Sequence, residues 1–536
     1  FYGATGIIAG GTFLSRILGL VREQVFAFFF GAGSATDAFQ IAFRIPNLLR
    51  DLFAEGAMSS ALVPTYTRVR KEQGEEKAWL LVSNVVCTLA LALSVVAALG
   101  IVFADPLVSL YAPSFKDVPG KHEMAVTMTR ILWPFLPMVV LAAVWMGILN
   151  ARERYGTPAL APSIFNVISI FSAFTICPWV AWAFGAPPIY GMAIGAVIGG
   201  IGQWLIQVPS LKKEGFHFKP VFNWQDPALR KMVLLMGAGT FGLAATQINI
   251  LVNSMLAAGA GDGAVSWLNY AFRLMQFPIG VFGVAISTAS LTKVARESAD
   301  GDHEAVCRSV RDALRMVMVL TVPSAVGLAV LGTPIISVIY QRGRFTPEDT
   351  YATALALAGY SVGLTAYSGI KVLVPVLYAL GRAKSAIWSS GVSVVLNVAL
   401  GVMLVKSLGF EGLALGTSIS AILNAAILLW IMQKLLKKID FASLGRCLAG
   451  TLVASLFMAI SVYVLLGFAG IRPLAPIPLT GHWVNANFAQ HLLILGVTLA
   501  TGVAVYGVAG KLLGLQEIER VQELVWKRLK QRKDTP

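Results

Sequence analysis

Long apolar segments follow one another along almost the whole chain, and they constrain its fold more than any other feature. Each is close to the roughly twenty residues that an α-helix needs to cross the hydrocarbon core of a bilayer. Only 13% of the 536 residues are charged, whereas soluble domains usually carry about a quarter. We therefore predict an all-α polytopic membrane protein with fourteen transmembrane helices. Their predicted bounds are 3–31, 37–65, 78–104, 124–149, 158–185, 189–210, 230–258, 264–292, 310–333, 350–380, 385–406, 412–433, 447–470 and 489–510.

Lysine and arginine are distributed unevenly between the predicted loops, and this predicts the orientation in the membrane. With the N-terminus in the cytoplasm, 29 of the 42 basic residues lie in the inner loops and the tail, and six lie in the outer loops. Cytoplasmic loops of membrane proteins carry such an excess. Both ends are therefore expected in the cytoplasm, and the net charge of +15 requires no nucleic-acid partner.

Short segments recur in the same order in the two halves of the chain. The pairs are GAG at 31–33 and 259–261, AFR at 42–44 and 271–273, GMAIG at 191–195 with GLALG at 412–416, and Asn166 with Asn397. We predict two six-helix repeats, related by a pseudo-two-fold axis along the membrane normal, and two further helices. Paired bundles of this kind are typical of transporters. The predicted domains are two lobes at 1–212 and 228–437, the extra helices at 443–513, and a basic cytoplasmic tail at 514–536.

Seven basic residues fall inside predicted spans. They are Arg16, Arg22, Arg44, Arg50, Arg130, Arg273 and Lys371. Arg130 is near a span end, where a long side chain can reach the interface. The other five arginines would together cost about 12–18 kcal/mol if they faced lipid. We therefore expect them to face a water-filled cavity or an acidic partner.

The second predicted helix carries most of the cavity lining that we predict. Asn47 lies angularly between Arg44 and Arg50, and Pro46 removes a helical hydrogen bond beside them. One polar stripe consists of Arg44 with Asp37, Asp51 and Glu55, each of which lies within about 20° of Arg44 on a helical wheel. Pro278 allows a matching bend in the eighth span. The predicted lining and gating residues are Glu23, Asp37, Arg44, Pro46, Asn47, Asp51, Glu55 and Gln276.

An alternative is that these charges neutralise one another in a structural network. The acids Glu23, Asp37, Asp51 and Glu55 would then pair with the arginines of the first two helices. Against this, Asp51 and Glu55 lie toward the cytoplasmic end, and every acid between Asp262 and Asp440 falls in a loop or at a span end. The planar fork of arginine suits phosphate oxygens, so several arginines around one cavity suit a diphosphate.

Signatures of enzymes, metals and cofactors are weak. The DGD segment at 300–302 could hold a metal, but it lies in a polar loop, where a solvated turn is the better interpretation. The five histidines have no ligand-pair spacing, and the four cysteines form no CxxC pair. We predict neither catalytic residues nor a metal or cofactor, so a membrane enzyme is the weaker hypothesis.

Four segments resemble the hallmark sequences of the MurJ (MviN) family. They are SRILGLVRE, ATDAFQIAFRIPNLLRDLFAEGAMSSALVP, RLMQFPIGVFGVAIS and QRGRFTPEDT. The members of this family are bacterial lipid II flippases of the multidrug/oligosaccharidyl-lipid/polysaccharide exporter superfamily. The resemblance implies that lipid II, a polyprenyl diphosphate carrying a disaccharide and pentapeptide, moves from the cytoplasmic to the outer leaflet. Another polyprenyl-linked oligosaccharide, or an amphiphilic drug, is the alternative substrate.

The resemblance also implies roles for single residues. The essential arginines of the family fall on Arg16, Arg22, Arg50 and Arg273, which are thus candidates to bind the diphosphate. Its first-span aspartate is replaced here by Glu23, and its acidic positions in the second helix fall on Asp37 and Glu55. A cation-site carboxylate of some relatives has no counterpart here, so sodium coupling is in doubt. By resemblance, the extra helices form a groove for the polyprenyl tail. A monomer in the bacterial inner membrane is expected, with lipid II and membrane lipids as partners.

The charge asymmetry makes a topological prediction. Cysteines introduced at Ser114 and Thr480 should react with a membrane-impermeant thiol reagent added from outside, and cysteines at Gln73 and Gln531 should not. The measurement is labelling in intact cells, with permeabilised cells as the control. The opposite labelling pattern would reverse the predicted orientation.

Overall fold

The described part of the chain is helical throughout. The computed structural model describes residues 2–53, 59–436, 440–471, 488–519 and 523, and it contains no β-strand there. The helices are α1 Tyr2–Phe30, α2 Ser34–Arg50, α3 Ser59–Gln73, α4 Glu75–Val102, α5 Ala104–Tyr111, α6 Lys121–Leu132, α7 Phe135–Ala151, α8 Gly156–Phe174, α9 Ile176–Phe184, α10 Tyr190–Leu205, α11 Val208–Lys213, α12 Pro227–Ala258, α13 Ala264–Pro278, α14 Val284–Ala299, α15 His303–Val330, α16 Gly332–Tyr340, α17 Pro347–Ser361, α18 Leu364–Ala379, α19 Ala383–Leu436, α20 Phe441–Phe468 and α21 Phe488–Leu512.

Many of these helices are long and apolar enough to cross a membrane. Nine in the described ranges pass a length and hydropathy test, and there are ten if α17 and α18, bent by 45° at their junction, count as one span. The prediction of a polytopic helical membrane protein is thus confirmed, while the count of fourteen spans stays a prediction. Helix α19 covers two predicted spans, and Gly409 interrupts it with φ 61° and ψ −142°. Glycine adopts this conformation without the steric cost that a side chain would add.

Several predicted spans are broken helices. The second predicted span begins in α2 and continues in α3, and residues 51–53 after Pro46 are π-helical. In the eighth span, Pro278 ends α13 and a π-helical turn at Ile279–Gly283 leads into α14. Proline removes an intrahelical hydrogen bond, and π turns are a common local response that often marks functional sites. Both spans thus change their winding shortly after the proline.

Glycine seams bring neighbouring helices of each half close together. A methyl group on Gly195 of α10 would overlap Ser172 of α8, and one on Gly199 would lie 2.8 Å from a Phe165 ring carbon. In α19, a methyl group on Gly412 would overlap the carbonyl of Leu404. Small residues at helix crossings allow backbones to approach closely in membranes, where packing drives association. The GMAIG and GLALG segments therefore both serve close helix packing.

The chain divides into two compact units. The first unit comprises Phe1–Ser266 with Gly343–Phe345, and the second comprises Trp267–Arg342 with Thr346–Pro536. This division differs from the predicted lobes, because α12 packs on α3, α4 and α5 of the first unit. The two-lobe repeat therefore remains a prediction about sequence relationship, and the packing units follow a different boundary.

The predicted separate region 443–513 is part of the second unit. Helices α20 and α21 share a buried apolar cluster with α15 and α16, which includes Leu331, Val338, Met458 and Leu495. The tail predicted at 514–536 begins with Leu515 and Ile518 buried against Val319 of α15. Most of that tail lies outside the described residues.

Candidate functional site

The two candidate arginines of α1 have different surroundings. The side chain of Arg16 is exposed. Arg22 is half-buried, donates a hydrogen bond from Nη2 to Glu23 Oε1 at 2.7 Å, and places its guanidinium 5.4 Å from the centre of the Phe165 ring. Glu23 itself is buried. The carboxylate and the aromatic face together orient Arg22 and offset part of its desolvation.

Arg50 at the end of α2 is also paired with the acid that follows it. Its Nε and Nη2 atoms donate to Asp51 Oδ1 at 3.1 and 2.5 Å. Arg44 is half-buried and lies near Tyr111 of α5. Burial raises the pKa of the Tyr111 hydroxyl to about 12, and the positive charge of Arg44 opposes that rise. Arg22 with Glu23 and Arg50 with Asp51 thus form ion pairs, as the neutralising alternative expects.

Such a pair does not by itself exclude an anionic ligand. An arginine carries five N–H donors, and one carboxylate engages at most two of them in a forked contact.

Asn47, between the two arginines of α2, has a buried Oδ1 that accepts no hydrogen bond from any described residue. Glu55 lies outside the described residues.

Asp37 has a different environment from the predicted one. Its carboxylate is completely buried, so it does not line a cavity open to water as we predicted. It accepts hydrogen bonds from Lys121 Nζ at 2.9 Å, from the backbone N–H groups of Gly263 and Ser266 at 2.7 and 2.9 Å, and from Ser266 Oγ at 2.6 Å. The neutralising alternative paired Asp37 with an arginine, but its partner is a lysine from α6.

Lys121 connects Asp37 to a second carboxylate. Its Nζ lies 2.6 Å from Asp262 Oδ1 and 4.3 Å from the centre of the Phe115 ring. Asp262 accepts from Ser34 Oγ at 2.8 Å. Burial alone would raise the pKa of Asp262, but hydrogen bonds from Lys121 and Ser34 lower it overall. The Asp37 cluster consists of Ser34, Asp37, Lys121, Asp262 and Ser266. It connects α2 and α6 to the turn before α13 and to the first turn of α13, all within the first unit.

The roles of Lys121, Asp262 and Ser266 could not be predicted from the sequence. Lys121 falls in a predicted outer loop, and burial of a loop residue leaves no local signal. A signal did exist for Asp262: alignment of the two GAG segments places Ser34 opposite Asp262, and these two side chains are in contact.

The candidate residues of the second unit lie on α13. The side chains of Arg273 and Gln276 are exposed, and Phe277 beside them is 71% exposed. Pro278 and the π-helical turn follow directly. Arg16, Arg22 and Arg50 thus belong to the first unit, and Arg273 belongs to the second.

The described side chains contain no group of three or more His, Cys, Asp or Glu residues arranged to hold a metal ion. The candidate site is therefore built from arginines, single carboxylates and amides. Its chemistry is that of binding an anion and of holding helices in place.

Comparison with known proteins gives a consistent family. A family profile described as "Lipid II flippase MurJ" matches residues 26–470. A probable lipid II flippase MurJ of Vibrio cholerae is 35% identical over 79% of this chain and 81% of its own length. The lipid II flippase MurJ of Burkholderia cenocepacia is 34% identical over 80% and 83%. A probable lipid II flippase MurJ of Haemophilus influenzae is 32% identical over 94% and 98%.

Solved structures agree with this result. A lipid II flippase MurJ in an inward closed conformation matches with a TM-score of 0.76 and 27% identity, over 94% of this chain and 98% of that one. An inward-facing multidrug transporter of the MATE family matches with a TM-score of 0.65 over 79% and 94%, at 14% identity. At that identity the second match shows a shared fold alone.

The Asp37 cluster leads to a prediction about stability. Replacing Lys121 with Met leaves a fully buried carboxylate without its ammonium partner, which typically costs about 3–5 kcal/mol. The double variant Asp37→Asn/Lys121→Met should be less destabilised than Lys121→Met, because no buried charge is left uncompensated. The measurement is thermal unfolding of the purified protein in detergent at pH 7.

The matched control for this prediction is Lys116→Met, which removes an exposed lysine five residues away. Equal unfolding temperatures for Lys116→Met and Lys121→Met would show that the buried pair contributes nothing to stability.

Proposed function

Because the chain belongs to the family of MurJ lipid II flippases, we propose that it moves lipid II from the cytoplasmic to the outer leaflet by alternating access. The observation that carries this proposal is the family match over residues 26–470. The family is one of transporters rather than enzymes. Transport of this kind requires binding of a charged headgroup within the membrane, and the arginines in the predicted spans supply charge of the right sign.

We propose fourteen membrane spans in the bacterial inner membrane, with both termini in the cytoplasm. The described helices support this count if α19 forms two spans and if five other spans each consist of two consecutive helices. The broken spans are α2 with α3, α6 with α7, α8 with α9, α13 with α14, and α17 with α18. The charge asymmetry of the loops supports the orientation.

The diphosphate of lipid II is the proposed ligand of Arg16, Arg22, Arg50 and Arg273. Two observations support this: Arg16 and Arg273 have exposed side chains, and an arginine at such a position in a span is costly unless it meets water or an anion. The forked guanidinium can bind two phosphate oxygens at once. In the proposal, Arg44, Pro46, Asn47, Glu55 and Gln276 shape and gate the cavity, and the buried Asp37 holds the start of α2 in place.

The paired acids Glu23 and Asp51 take a specific role in this proposal. While the site is empty, each offsets the charge of the adjacent arginine. When a diphosphate arrives, the same carboxylate competes with it for the guanidinium. This competition keeps binding moderate, which a transporter needs because its substrate must also leave.

The test of the function is translocation of lipid II by the purified protein in proteoliposomes. The wild-type protein should transfer lipid II between leaflets. Arg273→Lys should lose nearly as much activity as Arg273→Ala, at least tenfold, because lysine is a point charge without the fork. Arg382→Ala removes an exposed arginine in the same unit and should transport normally.

Two results would count against the proposed site. Normal binding and transfer of lipid II by Arg273→Ala would assign this arginine a structural role. Failure of Arg50→Ala to accumulate in the membrane, together with rescue by Asp51→Asn, would make Arg50 part of a structural ion pair.

A further inference from the structure

Lys371 is a charged residue inside a predicted span that none of the roles above includes. It lies in α18, nine residues before the cytoplasmic end of the predicted span 350–380. Nine helical residues correspond to about 14 Å along α18. An ionisable residue inside a predicted span suggests a functional site.

The surroundings of Lys371 do not neutralise it. Its side chain is exposed, and its ammonium makes no hydrogen bond or ion pair with the part of the chain that the structure describes. Its backbone carbonyl accepts a hydrogen bond from Ser287 Oγ of α14 at 2.5 Å. One turn earlier, Ser368 of α18 packs against Gly283 of the π-helical turn. Lys371 thus lies beside α14, at the level of Ser287.

The hydrogen bond between Ser287 and the backbone of Lys371 gives the depth of Lys371 relative to Arg273. The α13 helix, the π-helical turn and α14 follow one another without a gap, and fourteen residues separate Arg273 from Ser287. At 1.5 Å per residue this is about 21 Å along the helix. In the predicted orientation Arg273 is nearer the outer surface and Lys371 nearer the cytoplasm. The second unit therefore holds two cations in its predicted spans at clearly different depths.

We propose that Lys371 forms a separate phosphate-binding site, which contacts the diphosphate of the substrate on the cytoplasmic side before Arg273 does. This inference rests on the proposed function. The residue types suit the two positions, because lysine is a hydrated point charge with little directional preference and arginine binds phosphate with a fixed fork. A first contact with an incoming headgroup needs attraction more than fixed geometry, and it must release the headgroup again.

The test compares Lys371→Met with Lys384→Met. Lys384 is an exposed lysine just beyond α18, so its removal changes the net charge equally. Binding of farnesyl diphosphate to the detergent-purified protein should weaken at least fivefold in Lys371→Met. In proteoliposomes, the lipid II concentration for half-maximal transfer should rise by a similar factor, with a smaller change in the maximal rate. Lys384→Met should match the wild type in both assays.

A chemical rescue keeps the test valid if Lys371→Met folds poorly. Lys371→Cys is made in a Cys87→Ser background, since the other three cysteines are buried and free. Modification with the cationic 2-aminoethyl methanethiosulfonate should restore at least half of the lost affinity. Modification with the neutral methyl methanethiosulfonate should restore none.

Three results would overturn the proposal. One is equal affinity of Lys371→Met and Lys384→Met for farnesyl diphosphate. Another is equal rescue by both reagents, which would mean that side-chain size matters rather than charge. The last is a defect that appears only in bilayers with anionic phospholipids, because Lys371 would then bind the bilayer. Failure of the wild type to transfer lipid II would instead refute the proposed function, and the farnesyl diphosphate assay separates the two cases.

Discussion

The energetic cost of holding charge inside a membrane is the constraint to which the arrangement of the first two helices responds. An arginine at the centre of a span costs about 2.5–3.5 kcal/mol when it faces lipid, and α1 and α2 contain four of them. The structure offsets this cost for two arginines with a carboxylate on the next residue, Glu23 for Arg22 and Asp51 for Arg50. In our proposal these arginines bind the diphosphate of lipid II, because forked donors suit phosphate oxygens.

The same constraint applies to the buried acid of α2. A fully buried carboxylate needs hydrogen bonds and a counter-charge, and Asp37 has both in Lys121, Ser266 and two backbone N–H groups. Because these groups surround Asp37, α6 and the turn before α13 pack against the start of α2. The other end of α2 is followed by π-helical residues 51–53. One end of this helix is thus fixed by ion pairs, and its winding changes at the other.

The helical membrane fold and the charged second span could be predicted, because span length and charge inside apolar segments are visible in the sequence. The ion pairs were harder to predict. Neighbouring residues on a helix point about 100° apart, so a helical wheel does not suggest Arg22 with Glu23 or Arg50 with Asp51. The partner of Asp37 could not be found from α2 at all, since Lys121 and Asp262 come from distant segments. The packing of α12 with the first unit likewise depends on contacts that no local pattern encodes.

Transfer of lipid II across the membrane by this chain can be measured in cells. The most direct measurement is replacement of the native flippase in bacterial cells depleted of it, with lipid II scored in the outer leaflet. We expect that lipid II reaches the outer leaflet and that growth resumes. Accumulation of the protein in the membrane, while lipid II remains in the inner leaflet, would show that this chain does not transfer lipid II.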